Sequence, residues 1–234
     1  MHISVVIPAY NEEKTIAMVI QRVLDARLAP HQWDILVVDD GSTDHTAEKV
    51  QPFAKDVRFF QHPHNQGKGH ALRTAFAEAR GEAVIIQDAD LEYDPREYSR
   101  LIGPIVDGQA DVVYGSRFQG GDCHRILYFW HSFGNRLLTI FSNMATNLNL
   151  SDMETGFKVV RADFLKKITI EENGFGIEPE LTAKLALLCA RFYEVGISYH
   201  GRTYEEGKKI TWQDGVIAIW CIFKYGILRR LTGG

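Results

Sequence analysis

Asp88 and Asp90 stand on either side of Ala89, directly after the apolar run Ala83–Ile86. Side chains two positions apart on an extended segment project to the same side. Such paired carboxylates suit a hard divalent cation, Mg²⁺ or Mn²⁺, with Glu92 as a third candidate ligand and positions left for phosphate oxygens. An Asp-x-Asp pair also arises by chance in an acidic chain, but its place just after a strand favours a metal site.

Asp39 and Asp40 follow the apolar run Ile35–Val38 in the same way. Because adjacent side chains on a strand point in opposite directions, one is expected to face a ligand and the other a turn. The alternative is purely structural: the segment is a turn in which Ser42 forms the N-cap of the next helix. The residues leave both interpretations open.

Lys68 lies between Gly67 and Gly69, before an alanine-rich segment. Glycine allows a ligand to approach the backbone closely, lysine neutralises phosphate, and a helix N-terminus favours anions. No Ser or Thr follows Lys68, so the segment is not a Walker loop. A phosphate-facing loop and an ordinary surface turn are equally compatible with it.

Five short runs rich in β-branched and aromatic residues predict strands, and helical patterns lie between them. The strand runs are Ile3–Ile7, Ile35–Val38, Val57–Phe60, Ala83–Ile86 and Asp111–Tyr114, and the helical segments are 16–24, Ser42–Phe53 and Ala71–Ala79. This alternation predicts an α/β fold with a mostly parallel sheet and helices on both faces. In such sheets ligands bind beyond the carboxyl ends of the strands, where the polar segments described above all fall.

The segment after the first strand, Pro8–Glu12, lacks the Gly-x-Gly-x-x-Gly pattern of dinucleotide-binding folds. Its absence argues against an NAD or FAD oxidoreductase. The sequence also lacks the Gly-x-Ser-x-Gly elbow of a hydrolase. Glu12 and Glu13 are expected in the first turn of the following helix, where carboxylates complement the helix dipole.

The second half predicts three helices and one strand. The helices are Arg125–Leu148, Glu178–Ala190 and Trp212–Leu231, and the strand is Phe192–His200. No linker or repeat separates the two halves, so they are expected to form one body. The apolar stretch Val216–Leu228 is too short to cross a membrane. Its aromatic residues, and those at 128–133, fit either an interfacial membrane contact or ordinary core and dimer packing.

The chain has 234 residues, with 26 Lys and Arg against 30 Asp and Glu and a net charge of −4. This charge argues against a nucleic-acid partner, which usually meets a basic face. Cys123, Cys189 and Cys221 show no Cys-x-x-Cys spacing, and no signal-peptide pattern opens the sequence. Reduced thiols in a cytoplasmic protein are therefore expected.

Taken in order, these motifs resemble those of the family 2 glycosyltransferases. The matching segments are Ser4–Glu12, Val37–Asp44, Asn65–Gly69, Asp88–Asp90, Gly115–Arg117, Asp152–Phe157, Arg202 and Gly207–Lys209. The set is similar to the subgroup of dolichyl- and polyprenyl-phosphate sugar transferases. The resemblance covers about residues 3–215.

The resemblance implies a GT-A fold, Mg²⁺ or Mn²⁺ at the diphosphate, and inversion at the anomeric carbon. It implies a nucleotide diphosphate sugar donor of the GDP-mannose or UDP-glucose type, bound by residues 1–115, and an acceptor half at 116–234. The acceptor is then a polyprenyl or dolichyl phosphate or, alternatively, a sugar hydroxyl of a polysaccharide or glycolipid. A non-catalytic nucleotide-sugar-binding subunit is a third alternative. For a lipid acceptor, peripheral attachment to the cytoplasmic membrane face is expected.

The same resemblance assigns a role to each candidate residue. The metal ligands are Asp88, Asp90 and Glu92. The donor pocket is lined by Pro8, Tyr10, Asn11, Glu12, Asp39, Asp40 and Lys68. Arg117 and Arg202 contact substrate phosphates, and Lys208 also contacts substrate. Asp90, Arg117, Asp152 and Arg202 form the expected catalytic group. Asp152 is the candidate base for a hydroxyl acceptor, with Glu178 and Glu180 behind it. Several of these residues also have structural alternatives: pairing of Arg117 with Asp122, pairing of Arg202 with Glu205 or Glu206, and a helix-dipole role for the two glutamates.

Overall fold

The computed structural model describes residues 1–119, 125–126, 128–202 and 212–229. Within these ranges seven strands form one sheet. The strands are β1 His2–Ala9, β2 Gln32–Asp39, β3 Arg58–Gln61, β4 Ala83–Ile86, β5 Val112–Ser116, β6 Lys158–Arg161 and β7 Phe192–Gly196. Their order across the sheet is β3-β2-β1-β4-β6-β5-β7.

The sheet is parallel apart from one strand. β1 pairs in parallel with β2 and β4, β2 with β3, and β5 with β7, whereas β6 is antiparallel to both of its neighbours. The prediction of a mostly parallel α/β sheet is confirmed. β6 was not predicted, because a four-residue strand with two charged ends gives no clear periodicity. It comes from the second half of the chain and lies between two strands of the first half.

Eight helices in the described ranges cover the sheet. They are α1 Ile16–Asp25, α2 Thr46–Val50, α3 Lys68–Glu78, α4 Tyr98–Val106, α5 Phe129–Thr146, α6 Ala162–Leu165, α7 Ile177–Leu187 and α8 Trp212–Cys221. The last continues as a π-helical segment, Ile222–Leu228. α4 and α6 were not predicted: Pro104 lies inside α4 and masks its pattern, and α6 is a single turn.

Two predictions about helix starts were wrong. α1 begins at Ile16, so Glu12 and Glu13 precede the helix and are not in its first turn. The carboxylate of Glu12 faces Arg202 across the fold instead, with 3.3 Å between Oε2 and Nη1. A long-range ion pair therefore replaces the expected dipole interaction.

Ser42 is likewise not the N-cap of α2, which begins at Thr46. Its backbone N–H and its hydroxyl both donate to Oδ1 of Asp39, at 3.0 and 2.5 Å. The reason is that Asp39 is fully buried at the end of β2 and its carboxylate requires donors. The backbone N–H of Thr46 donates to Oδ1 of Asp44 at 2.9 Å, which does part of the work expected of Ser42.

Both faces of the sheet are buried. Val5 and Ile7 of β1 pack with α1 and α4, while Val6 between them packs with α3 and α7. This arrangement explains the nearly continuous apolar runs of the central strands. It also leaves the carboxyl ends of the strands as the place where polar side chains accumulate.

Candidate active site

The carboxyl ends of the parallel strands open into one cavity of about 950 Å³. Many of the residues singled out in the sequence line it: Pro8, Tyr10, Glu12, Asp40, Lys68, Asp88, Asp90, Glu92, Arg117, Glu178 and Arg202. Asn11, Asp39 and Asp152 are not part of the wall and contact residues near it. Lys208 lies outside the described residues, as do Asp122, Glu205 and Glu206. The topology therefore brings together side chains that are up to 190 positions apart in sequence.

Four carboxylates surround the guanidinium of Arg202 or lie beside it. Nη2 of Arg202 is 2.9 Å from Oδ2 of Asp90, and its backbone N–H donates to Oε1 of Glu92 at 2.8 Å. Oε2 of Glu12 is 3.3 Å from Nη1 of the same guanidinium. Asp88 completes the group, two residues before Asp90. Acidic groups from the β1 and β4 ends thus meet one arginine from beyond β7.

Asp90 is the most perturbed carboxylate of this group. Burial, together with the neighbouring charges of Asp88 and Glu92, raises its pKa to about 7, although Arg202 acts in the opposite direction. The three carboxylates supply oxygen donors only, which a hard divalent cation prefers. The residues present therefore fit Mg²⁺ or Mn²⁺.

Gly156 explains how the 152–157 loop packs against this group. A Cβ atom at position 156 would lie 2.1 Å from Oδ2 of Asp88, so any larger residue would displace the carboxylate of Asp88. The backbone N–H of Gly156 donates to the hydroxyl of Tyr93 at 2.9 Å. The loop containing Asp152 and Glu154 is thereby fixed against the loop after β4.

Lys68, at the start of α3, is a second positively charged side chain in the cavity wall. Its Nζ is 2.8 Å from Oδ1 of Asp88 and 3.0 Å from Oε1 of Glu178, which also contacts Lys158. Burial lowers the pKa of Lys68, but Asp88 and Glu178 outweigh it and raise that pKa above its usual value. Lys68 therefore carries a fixed positive charge beside the carboxylate pair.

Arg117 follows β5, and Asp152 holds it in place. The backbone N–H donates to Oδ2 of Asp152 at 3.0 Å, while Nε and Nη2 donate to the two carboxylate oxygens at 2.7 Å each. The guanidinium also lies over the ring of Tyr199, 5.2 Å from its centre. Asp152 is fully buried and both of its oxygens are engaged, so it orients Arg117 in this arrangement.

The other two sequence candidates for a base are also held in place. Glu178 lies between the two lysines described above, and their charges outweigh burial and lower its pKa. Glu180 accepts from the backbone N–H groups of Glu171 and Glu172 at 2.7 and 2.9 Å and pairs with Lys184. Glu180 therefore fastens a loop to α7.

Asp39 and Asp40 point in opposite directions, as an extended strand end requires. Asp39 turns back to Ser42 and accepts from Nε2 of Gln61 at 3.0 Å. Asp40 reaches the cavity wall, and its Oδ2 accepts from the backbone N–H groups of Gln66 and Gly67 at 2.9 and 2.6 Å. It thereby shapes the loop that leads into α3.

Glu154 lines the cavity, and its role was not predicted from the sequence. Oε1 of its carboxylate is buried with no hydrogen-bond partner in the described part of the chain. Burial, followed by the charge of Glu178, raises its pKa to about 7. Its place inside the motif Asp152–Phe157 is the only indication the sequence offers.

Tyr199 is a second cavity residue that was not predicted from the sequence. Its hydroxyl donates to Oε2 of Glu92 at 2.7 Å.

The outer part of the cavity is apolar and aromatic. Trp130 of α5 and Trp212 of α8 belong to its wall and are 76% and 78% exposed. The opposite face of the C-terminal helix is core, since Cys221 and Tyr225 are buried. The buried face therefore fits the core interpretation, whereas membrane contact of the exposed face stays a prediction. Among the helices of residues 1–119, 128–202 and 212–229, none combines the length and the apolar character that a membrane span requires.

Comparison with known proteins gives consistent results. The profile of the family described as Glycosyl transferase family 2 matches residues 4–169. The low-salt glycan biosynthesis hexosyltransferase Agl6 of Haloferax volcanii is 31% identical over 204 residues, covering 87% of this chain and 49% of that protein. The undecaprenyl-phosphate mannosyltransferase of Micrococcus luteus is 29% identical over 250 residues, covering 100% and 97%. The chain thus spans about half of the first relative and nearly all of the second.

The fold is similar to that of a solved enzyme. It is the glucosyl-3-phosphoglycerate synthase from Mycobacterium tuberculosis, crystallised in complex with Mn²⁺, UDP and glucosyl-3-phosphoglycerate. The structural match covers 96% of the present chain and 79% of the synthase chain. The TM-score is 0.74 at 22% identity. That likeness supports the GT-A architecture, and the family profile covers more than half of the sequence. The chain therefore belongs to glycosyl transferase family 2.

Proposed function

We propose that the protein transfers a hexose from a nucleotide diphosphate sugar, of the GDP-mannose or UDP-glucose type, to a polyprenyl phosphate. The observation that carries this proposal is the form of the cavity, which joins a charged inner end to an aromatic, apolar mouth. A donor with two phosphates suits the first part and a lipid acceptor suits the second. The name of the Micrococcus luteus relative, an undecaprenyl-phosphate mannosyltransferase, is consistent with this acceptor.

At the inner end, Asp88, Asp90 and Glu92 would hold Mg²⁺ or Mn²⁺. When bound, such an ion neutralises the charge that develops on the departing nucleoside diphosphate. Lys68 and Arg202 stand beside the same carboxylates and supply fixed positive charge there. Four residues at the ends of β1 and β2 would line the nucleotide pocket: Pro8, Tyr10, Glu12 and Asp40. Asn11 and Asp39 would support the loops behind it.

Arg117 is the proposed contact for the acceptor phosphate. A lipid phosphate is already anionic near neutral pH, so positioning matters more than removal of a proton. The bidentate contact with Asp152 fixes the guanidinium for this purpose, because it leaves the side chain one orientation. Asp152 then acts as a positioning residue.

A specific observation favours the second candidate, transfer to a sugar hydroxyl. Such a reaction requires a base, and Glu154 offers a carboxylate with a pKa near 7 and an oxygen without a partner in the described structure. A base is most effective when its pKa lies near the working pH. Glu154 would then abstract the proton of the acceptor hydroxyl.

The lipid acceptor also requires contact with a membrane surface. Phe129 and Trp130 of α5 and Trp212 and Trp220 of α8 are between 56% and 78% exposed. Large exposed apolar side chains mark an interaction surface, and aromatic rings suit the lipid–water interface. Because Trp130 and Trp212 also line the cavity mouth, we propose that the protein attaches peripherally to the membrane through these aromatic side chains.

A donor panel tests these alternatives. GDP-mannose and UDP-glucose, with Mn²⁺ or Mg²⁺, are offered with a polyprenyl phosphate or with a sugar acceptor. Transfer of label to the lipid, unaffected by Glu154→Gln, is expected. Transfer to sugar hydroxyls only, abolished by Glu154→Gln, would establish the second candidate. Nucleotide-sugar binding without turnover on either acceptor would indicate a binding subunit.

A further inference from the structure

A second group of metal-ligating side chains is distinct from Asp88, Asp90 and Glu92. One ligand atom each from Asp40, His62 and His70 lies within 4.8 Å of the other two. Nδ1 of His62 is 2.7 Å from Oδ1 of Asp40 and 3.3 Å from Nδ1 of His70. Two imidazole nitrogens and one carboxylate oxygen therefore converge.

One proton shared among these three atoms cannot give each of them a hydrogen-bond partner. If Nδ1 of His62 carries the proton, it donates to Asp40, and Nδ1 of His70 faces a donor that is already used. If Nδ1 of His70 carries the proton, the oxygen of Asp40 and Nδ1 of His62 are two acceptors only 2.7 Å apart. A cation in place of the proton would satisfy all three atoms together.

The surrounding groups already orient the three side chains. The second oxygen of Asp40 accepts from two backbone N–H groups, those of Gln66 and Gly67. Nε2 of His62 is 3.0 Å from the hydroxyl of Thr74, which can accept the N–H of a metal-bound imidazole. Asp40 and His62 are also well buried, with side chains 3% and 10% exposed. These contacts form the outer shell that metal sites require.

We infer that Asp40, His62 and His70 form a binding site for a zinc-type cation, with solvent at the fourth position. Imidazole ligands suit Zn²⁺ and other transition-metal ions, whereas the carboxylates at Asp88 and Asp90 suit Mg²⁺ or Mn²⁺. Zinc–ligand bonds of about 2.0–2.1 Å place tetrahedral ligand atoms roughly 3.3 Å apart. The two imidazole nitrogens already have this spacing. Binding releases the shared proton to solvent, and the contact of Asp40 with His62 lengthens by roughly 0.6 Å.

The site connects elements that shape the donor end of the cavity. Asp40 follows β2, His62 follows β3, and His70 lies in the first turn of α3. The same aspartate holds the backbone of Gly67, which belongs to the cavity wall. A zinc ion here would tie the loop before α3 to the sheet.

Equilibrium dialysis with Zn²⁺ alone tests the inference. The comparison is made in a Cys189→Ser background, because the thiol of Cys189 is exposed and would compete for zinc. His70→Gln is expected to weaken zinc binding at least about tenfold. His45→Gln is the matched control, since His45 is exposed and pairs with Glu48, and Asp90→Ala should also retain the zinc. Equal binding by all four proteins would overturn the inference.

A measurement on the unmutated side chains excludes misfolding as the explanation. In imidazole NMR spectra, zinc is expected to shift the resonances of His62 and His70 and to leave His45 unchanged. Shifts confined to other histidines would overturn the inference. Neither experiment involves a sugar donor, so their outcome is independent of the proposed transferase reaction.

Discussion

Asp152 and Arg117 make the same three contacts as Asp111 and Arg191, but in a different environment. In each pair the carboxylate accepts from the backbone N–H of the arginine, at 3.0 Å, and from two nitrogens of its guanidinium. The side chain of Arg117 is 6% exposed and lines the cavity, whereas that of Arg191 is 52% exposed and does not. The second pair is therefore a natural control for the first.

Asp152→Ala is expected to destabilise the fold by about 3–5 kcal/mol, because it leaves the buried charge of Arg117 without its partner. Turnover should fall with it, since Arg117 loses its fixed orientation. Urea unfolding and initial rates measure the two effects. Asp111→Ala should lower stability much less, owing to the exposed arginine, and should leave turnover unchanged. Similar rates for both variants would contradict the positioning role.

Asp90→Ala is expected to reduce turnover at least about 100-fold, because it removes the central carboxylate of the proposed metal site. Binding of GDP or UDP should lose its dependence on Mn²⁺. Stability without metal should not fall, since the variant relieves repulsion with Asp88 and Glu92 and desolvation of a buried charge. Thermal-shift titration and initial rates check this. Asp56→Ala, at an exposed site, is the control, and unchanged Mn²⁺ dependence in Asp90→Ala would exclude the proposed ligand role.

Glu154→Gln is expected to stabilise the metal-free protein at pH 8 by about 1–3 kcal/mol. The pKa of Glu154 rises from 4.5 in the unfolded chain to about 7 in the fold. Ionisation therefore costs stability as the pH rises from 4.5 through 7, and a neutral glutamine avoids this cost. Urea unfolding at pH 4.5 and pH 8 should show a difference only at the higher pH. Equal effects at both values would show that the carboxylate is not perturbed.

Glu171→Gln should have the opposite sign and a different pH window. Hydrogen bonds and charge from Lys184, with further contacts from Arg229 and Lys224, lower the pKa of Glu171 to about 2. Its contribution to stability is present above pH 4.5 and is lost as the pH falls towards 2. The side chain is 41% exposed, so screening limits the loss at pH 7 to about 1 kcal/mol or less. Acid titration of wild type and variant, followed by circular dichroism, should converge near pH 2.

Trp130→Glu is expected to weaken binding to phospholipid vesicles at least about tenfold. A large aromatic side chain loses roughly 1.5–3 kcal/mol when it can no longer bury its surface in lipid. Vesicle flotation at low salt measures the bound fraction. Met18→Glu replaces a side chain of α1 that is 50% exposed and does not line the cavity, and the variant should bind as wild type does. Absence of wild-type flotation would contradict the membrane proposal.

The sequence determined the architecture because local pattern encodes it. Nearly continuous apolar runs specify strands buried on both faces, and their alternation with amphipathic segments specifies a parallel sheet. The rule that ligands bind beyond the strand ends then placed Asp40, Lys68, Asp88 and Arg117 at one edge. The antiparallel strand β6 escaped this reasoning, because its pairing depends on neighbours far away in sequence.

Only the tertiary structure decided which charges meet. Arg202 reaches Glu12 and Asp90 across 190 and 112 positions, and no local spacing predicts such pairs. His62 and His70 likewise form no recognisable motif in the sequence. Only the fold brings their imidazoles together with the carboxylate of Asp40. Spacing along the chain fixes which residues share an element. The energy of a buried charge depends on every group packed around it, which is why Asp152 became a partner of Arg117 and Glu154 acquired a pKa near 7.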